Sequence, residues 1–246
     1  YAKPATALNI LRETIMGREL FDFAFKTYAN RWMFKHPTPE DFFRTMEDAS
    51  AVDLDWYWRE WFYTTDYVDI GVKEVKKFYV TSKINAEARQ MMDANGIKES
   101  DLPPLVYFVK EDSEDFEESM RDVKIEDVKT LKEYIADNIP AEERANLKNP
   151  RFFYEIIFEK PGGIPMPIIV QLTYSDGSSE RITYPAEIWR KNDESVGKFF
   201  GSEKEIIKIE VDPDEETADI DTSNNTWPKR KKLGAFDKFK KKTNPD

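Results

Sequence analysis

The feature that most limits the fold is a change in the spacing of apolar residues along the chain. Over roughly the first 66 residues they recur every three or four positions, and beyond Arg151 they alternate with polar ones. The first spacing gives a helix one buried stripe; the second gives a strand one buried face. A chain that carries the two in succession is expected to be an α+β protein in several parts: an N-terminal α-helical unit, then a C-terminal antiparallel β-sandwich-like domain.

Within the helical part, Ala5, Leu8, Leu11 and Ile15 predict a first helix stopped by Gly17. Phe21, Phe25, Tyr28 and Trp32 form the stripe of a second, from about Glu19 to Phe34, ended by His36-Pro37. Thr38 then offers an N-cap, Pro39 suits the first helical position, and Glu40 and Asp41 favour the positive end of the helix dipole. Phe42, Phe43 and Met46 continue that third helix. Leu54, Trp58, Trp61 and Phe62 mark a fourth. Tight turns between four short helices read as a bundle or the edge of a solenoid.

From Tyr67 the texture changes. Val68, Ile70, Val72 and Val75 predict an extended segment, continued by Phe78, Tyr79 and Val80. Residues 67–150 as a whole are rich in charge, with helical patterns at Ala86–Met92, Phe116–Met120 and Val128–Ile139, and read as a linking or inserted, mostly helical segment. The segment also reads as a partly ordered charged linker. Beyond it, Phe152–Phe158, Ile168–Tyr174, Arg181–Tyr184, Glu187–Trp189 and Ile206–Val211 are strand-like, with turns at Pro161-Gly162-Gly163 and at Ser175-Asp176-Gly177-Ser178. Five short strands with no helix between them predict a sandwich over 151–222, followed by a basic tail over 223–246.

Composition excludes several chemistries. The chain has no Cys, so it forms no disulfide and carries no thiolate nucleophile or Cys-ligated metal. Its single His, His36, is too few for the usual catalytic zinc sites, which take two or three imidazoles, and reads as a helix cap or surface residue. No apolar run reaches the length of a membrane span. The net charge is −11, yet eight Lys or Arg from Lys229 onward stand against only Asp237 and Asp246, so the body before them is more acidic still. That argues against nucleic acid as a partner. The chain opens directly on a helix, without an initiator Met or a signal segment, and is expected to be a piece of a longer protein.

Several segments together resemble the aminopeptidase N family of zinc peptidases, the gluzincins. They are Tyr1 and Lys3 before a helix carrying Ala5, Leu8, Leu11, Arg12, Glu13 and Gly17; Phe25-Lys-x-Tyr28; Asp41-Phe with Met46-Glu-Asp-Ala-Ser50; and Trp58, Trp61 and Phe62. The later part, with Asp176-Gly177, Pro185-Ala-Glu-Ile-Trp189 and Asn224-Asn-x-Trp-Pro228, is similar to the terminal β-domain of bacterial members. The likeness covers about half the chain. It departs at Ala2 and Pro4, where many members have Glu and Gly.

The resemblance implies that the parent protein removes N-terminal residues from peptide substrates, with zinc held upstream on a His-Glu-x-x-His helix absent from this chain. It implies that Tyr1 is the catalytic tyrosine, whose phenol donates a hydrogen bond to the oxyanion formed as water attacks the peptide carbonyl. Read from the residues alone, Tyr1 is equally an ordinary aromatic at a helix start. By the same likeness the helical unit closes one side of the active-site cleft and the β-domain braces it. The partner is then the upstream catalytic part of the same chain, and the location the bacterial periplasm or cell envelope. The fragment alone is expected to hold no cofactor and to be inactive. The alternative is a non-enzymatic binding or scaffold module whose sandwich offers an edge strand to another protein.

Two further features invite a function. Asp212, Asp214, Glu215, Glu216, Asp219 and Asp221 with Asn224 and Asn225 concentrate hard oxygen ligands of the kind calcium takes, although without the central Gly and spacing of an EF-hand loop. An acidic surface turn is the plainer reading. Trp56, Trp58 and Trp61 resemble a sugar-stacking platform, but their helical spacing assigns Trp58 and Trp61 to the core.

Overall fold

Four helices come first. A computed structural model describes residues 1–81, 83–84, 86–98, 107–123, 133, 136–137 and 150–229. Helix α1 spans Ala2–Ile10 and runs on into one widened π-helical turn, Leu11–Ile15, closed by the Met16 amide on the Leu11 carbonyl at 2.8 Å. Its buried residues are Ala7, Ile10 and Leu11, at i, i+3 and i+4. The expected stripe is therefore turned: Leu8 and Ile15 pack only partly and Ala5 is exposed.

Helix α2 (Arg18–Trp32) buries Phe21 and Ala24, while Phe25 stays largely exposed and stacks edgewise on Phe42. Helix α3 (Pro39–Ser50) opens on a complete capping box. The Thr38 amide donates to the Asp41 carboxylate at 2.9 Å, the Thr38 side chain faces the Asp41 amide in return, and Pro39 fills the first turn. Helix α4 (Asp55–Tyr63) buries Tyr57, Trp58 and Trp61, and Trp58 stacks on Phe43 of α3 with ring centroids 4.6 Å apart.

Among the described residues eight strands follow, in two four-stranded antiparallel sheets. The strands are β1 (Gly71–Thr81), β2 (Tyr107–Lys110), β3 (Phe152–Glu159), β4 (Ile168–Tyr174), β5 (Ser179–Tyr184), β6 (Ser195–Ser202), β7 (Ile206–Val211) and β8 (Thr226–Trp227). One sheet runs β2-β1-β3-β6, the other β5-β4-β7-β8. The fold is thus an α+β mixture, a helical unit followed by two antiparallel sheets. β4 and β5 form a hairpin at Asp176-Gly177, where Gly177 takes the left-handed backbone that the turn demands, φ +82°.

The sheets reach further than the spacing of 151–222 suggests. β1, from the segment read as a charged linker, pairs with β3 from Gly71 opposite Glu159 to Phe78 opposite Phe153, and β2 pairs with the far end of β1. A bulge between Val72 and Glu74 shifts the register of β1, so its alternation breaks where Lys73, Glu74, Lys76 and Lys77 crowd the sequence. At the other end β8 lies within the span read as a basic tail, where it pairs with β7. The expected strand at Glu187–Trp189 is a 3-10 turn, Ala186–Arg190, that hangs from the Pro185 carbonyl and sends the Trp189 indole N–H to the Met166 carbonyl at 2.9 Å. Of the helical patterns in 67–150, the first is helix α5 (Ala86–Asn95) and the second the 3-10 turn Glu118–Asp122. Most of Val128–Ile139, and the chain beyond Lys229, lie outside the described residues.

One apolar cluster unites the parts. It contains Leu11, Met46, Leu54 and Trp58 from the helices, Ile156 and Phe158 from the first sheet, and Val170, Leu172 and Ile209 from the second. Tyr154 ties the sheets together inside it: its hydroxyl accepts the Ile206 amide at 2.9 Å, and burial pushes the phenol up to about 12, so it stays protonated. A shared core of this kind predicts cooperative unfolding. Truncating one helical and one sheet residue, Leu54→Ala and Phe158→Ala, is expected to cost about 2–5 and about 3–5 kcal/mol. Urea denaturation followed by tryptophan fluorescence and by far-ultraviolet circular dichroism should give coincident curves for each variant; two separated transitions would show two independent units.

Candidate functional site

The first turn of α1 is held by contacts that come from far along the chain. Tyr1 sits at the N-cap, where its carbonyl accepts the Ala5 amide at 3.2 Å, and its side chain is fully exposed. Two residues on, the Lys3 ammonium donates to the carbonyls of Thr64 at 2.8 Å and Asp66 at 3.1 Å, just past the end of α4. Those carbonyls face an unpaired helix terminus, and a cation satisfies them and the negative end of the dipole at once. One turn deeper the buried Tyr57 hydroxyl of α4 donates to the Ala7 carbonyl at 2.7 Å, with burial pushing that phenol well above its ordinary value. These two ties fix the direction of α1, and with it the position of Tyr1.

Asp66 also lines a cleft. Its volume is about 430 Å³, within the range of small-ligand sites. It opens between α4, the loop after β3 and the 186–190 turn, with Trp56, Glu60, Asp66, Lys160, Trp189 and Arg190 among its walls. Glu60 is buried and pairs with Arg59 at 2.6 Å; Arg190 pairs with Asp53 at 3.5 Å; Lys160 donates to the Gly162 and Gly163 carbonyls at 3.1 and 3.2 Å. Charges of opposite sign are thus already engaged with one another. Trp56 faces this cleft, whereas Trp58 and Trp61 are buried in the core, so the three tryptophans do not form one platform.

The other sequence candidates are dispersed. His36 is exposed in the loop between α2 and α3. Among the described residues no three His, Cys, Asp or Glu stand close enough together to hold a metal ion. With one exposed imidazole and no thiolate, the donor set does not fit zinc.

The acidic stretch 212–221 divides into separate structural tasks. Asp212 is buried and accepts the amides of Glu216 at 2.7 Å and Thr217 at 3.0 Å, with the Thr217 hydroxyl at 2.6 Å. Asp214 and Glu216 pair with Arg181. Asp219 turns inward and accepts the Ile70 amide at 3.1 Å. Sequence spacing could not connect Asp219 to residues 69–71, nearly 150 positions earlier. A parallel bridge between Val68 and Asp219 makes that connection.

No family model matches the chain, and no curated protein sequence is similar to it. Among solved structures, aminopeptidase A of Legionella pneumophila in complex with aspartic acid is distantly similar, with a TM-score of 0.40 and 13% identity over 86% of this chain. This chain spans 16% of the length of that one.

The tie between α1 and α4 can be measured directly. Tyr57→Phe removes one buried hydrogen bond and little volume, and is expected to cost about 0.5–1.5 kcal/mol. A fall of that size in the unfolding free energy from urea denaturation, with the circular dichroism of the folded protein unchanged, is the expected result.

Proposed function

We propose that the chain is the C-terminal part of a bacterial zinc metallo-aminopeptidase of the aminopeptidase N type, which removes N-terminal residues from peptides. The observation that carries this reading is Tyr1. Its ring is fully exposed, on a first turn whose direction is set by the Lys3 and Tyr57 ties. A phenol anchored through its backbone and open at its tip is suited to donate a hydrogen bond to charge that develops on a carbonyl oxygen outside this chain. The family resemblance assigns that position to the oxyanion-stabilising tyrosine.

On this reading zinc, with its ligands and the general base, belongs to upstream residues, since this chain's own donor set does not fit the ion. Zinc would supply the Lewis acid and the activated water. The chain's residues orient Tyr1 and close one side of the cleft. The upstream part is the first partner, and the exposed Phe23, Phe25, Phe34 and Tyr63 of the helical unit give it an apolar surface to cover. The location that goes with this family is the periplasm or cell envelope.

The purified chain with added zinc is expected to leave an aminoacyl anilide intact, and the longer protein that carries the upstream reading frame to cleave it. In that longer protein Tyr1→Phe should lower kcat by about 10²–10³-fold, the usual effect of losing one oxyanion donor, with KM nearly constant. Turnover by the isolated chain, or a Tyr1→Phe protein working at full rate, would sink the proposal.

A further inference from the structure

Among the described residues β6 is the longest strand at a sheet edge, with eight residues, and its register on β3 is unbroken from Ser195 opposite Glu159 to Ser202 opposite Phe152. The Lys160 amide donates to the Glu194 carbonyl at 2.9 Å, and an antiparallel ladder repeats that pairing at every second residue. Val196, Lys198, Phe200 and Ser202 therefore turn their backbone groups to β3. Those of Gly197, Phe199 and Gly201 point to the free edge, where no hydrogen bond among the described residues takes them up. The usual devices that blunt an edge are missing. The strand has no proline and no bulge, and its one charged side chain, Lys198, lies over the Tyr184 ring at 4.9 Å. The other edges are short, four residues in β2 and two in β8, or carry charge, as β5 does with Glu180 and Arg181.

Two further observations single out the same strand. Tyr154 and Ile156 of β3 face the shared core, and Phe153 faces the other way. On that outer face Phe199 of β6 is 51% exposed and meets Phe78 of β1, Phe108 of β2 and Phe153, with ring centroids 5.8, 5.4 and 6.2 Å away. Phe108 is itself half exposed, so an aromatic patch crosses the sheet and reaches its free edge. Gly197, two residues from Phe199, has no reason within the chain to be glycine. Its backbone is not left-handed, and a Cβ there would make only an ordinary contact, 3.5 Å from the Glu155 carboxylate. A glycine inside a strand marks a place where another backbone comes close.

We propose that β6 pairs with β6 of a second copy of this chain across a two-fold axis, joining their sheets into one continuous sheet. Bonded pairs form only between residues whose backbone groups face the free edge, and two such registers centre the strand on its copy. One sets Lys198 directly opposite Lys198 of the second copy, like charge against like charge. The other sets Phe199 opposite Phe199, Gly197 opposite Gly201 and Lys198 opposite Phe200. This second register opposes no like charges within the strand. It brings the two Phe199 rings together on the aromatic face, and each ring lies across the glycines of the other copy, as aromatic side chains shield glycines in sheets. The strand is then its own complement, as a two-fold interface requires. The pairing holds independently of the peptidase reading.

The test is sedimentation velocity of the full 246-residue chain at concentrations up to about 200 µM, since a small interface is a weak one. The average mass should rise with concentration from that of one chain toward that of two. Phe199→Lys should weaken the association tenfold or more, whereas Phe23→Lys, an exposed aromatic of α2, should leave it unchanged. Because Phe199→Lys can disturb the fold, Gly197→Pro is the companion. It removes an amide that faces only the free edge, so circular dichroism should stay the same while the dimer is lost. The chain has no cysteine, so one introduced thiol reads the register. Phe199→Cys should oxidise to a linked dimer, its Cα atoms about 5.5 Å apart across the axis, and Lys198→Cys should not. A chain that stays monomeric throughout, a folded Gly197→Pro protein that associates as well as the unaltered one, or linkage through Lys198→Cys in place of Phe199→Cys would overturn the pairing.

Discussion

The structure depends on one continuous apolar contact between elements that look, by composition, like separate modules. Neither four short helices nor two small sheets can bury much surface alone, and isolated helices of nine to fifteen residues are marginal in water. Here they share a single cluster, and the passage between them is short. After α4 the chain turns through Thr64 to Asp66, buries Val68 and Ile70, and enters β1 at Gly71. Two features of the candidate site lie along that passage, the carbonyls that hold Lys3 and the cleft wall at Asp66.

How much of this was legible in the sequence varies with the range of the interaction. The capping box at Thr38 and the Asp176-Gly177 hairpin were readable because every atom involved lies within a few residues. The membership of β1 in the sandwich was not. Its run through Val72 and Tyr79 reads as extended, but a bulge and four charged residues between them blur its buried face, and nothing local says that β3, about eighty residues on, is its partner. The Glu187–Trp189 turn failed for a related reason: the three-residue pattern fits a short strand, and only the long-range bond from Trp189 to Met166 selects the 3-10 geometry. The rotated stripe of α1 follows from Tyr57, whose hydroxyl takes the Ala7 carbonyl and so decides which face turns inward.

The candidate site shows the same limit more sharply. Tyr1 was identified from a resemblance, and what the structure adds is the means by which its backbone is held. Lys3 reads in the sequence as one more surface lysine, because its two carbonyl partners lie more than sixty residues away. Sequence proximity was actively misleading in the acidic run. Neighbours such as Asp212 and Asp214 serve different ends, one capping its own loop and the other pairing with Arg181 of β5, whereas Asp219 accepts the Ile70 amide.

That junction has a physical logic. A loop that runs from Asp212 to Asn225 between two strands gains little from its own residues, most of which are polar, so something outside it must offset the entropy of its ordering. Its hydrogen bonds to β1 and the residues leading into it are few: the Val72 amide to the Asn224 carbonyl at 2.9 Å, the Ile70 amide to the Asp219 carboxylate, and the Ile220 amide to the Val68 carbonyl at 3.1 Å. Polar side chains reinforce this contact, with the Asn224 amide donating to Asp69 at 2.7 Å and the Asn225 amide to Asp219 at 3.3 Å. Of the three bonds only the Ile70 amide on Asp219 needs a side chain; the other two run between backbone groups, so an apolar residue at 219 would loosen the loop without releasing it.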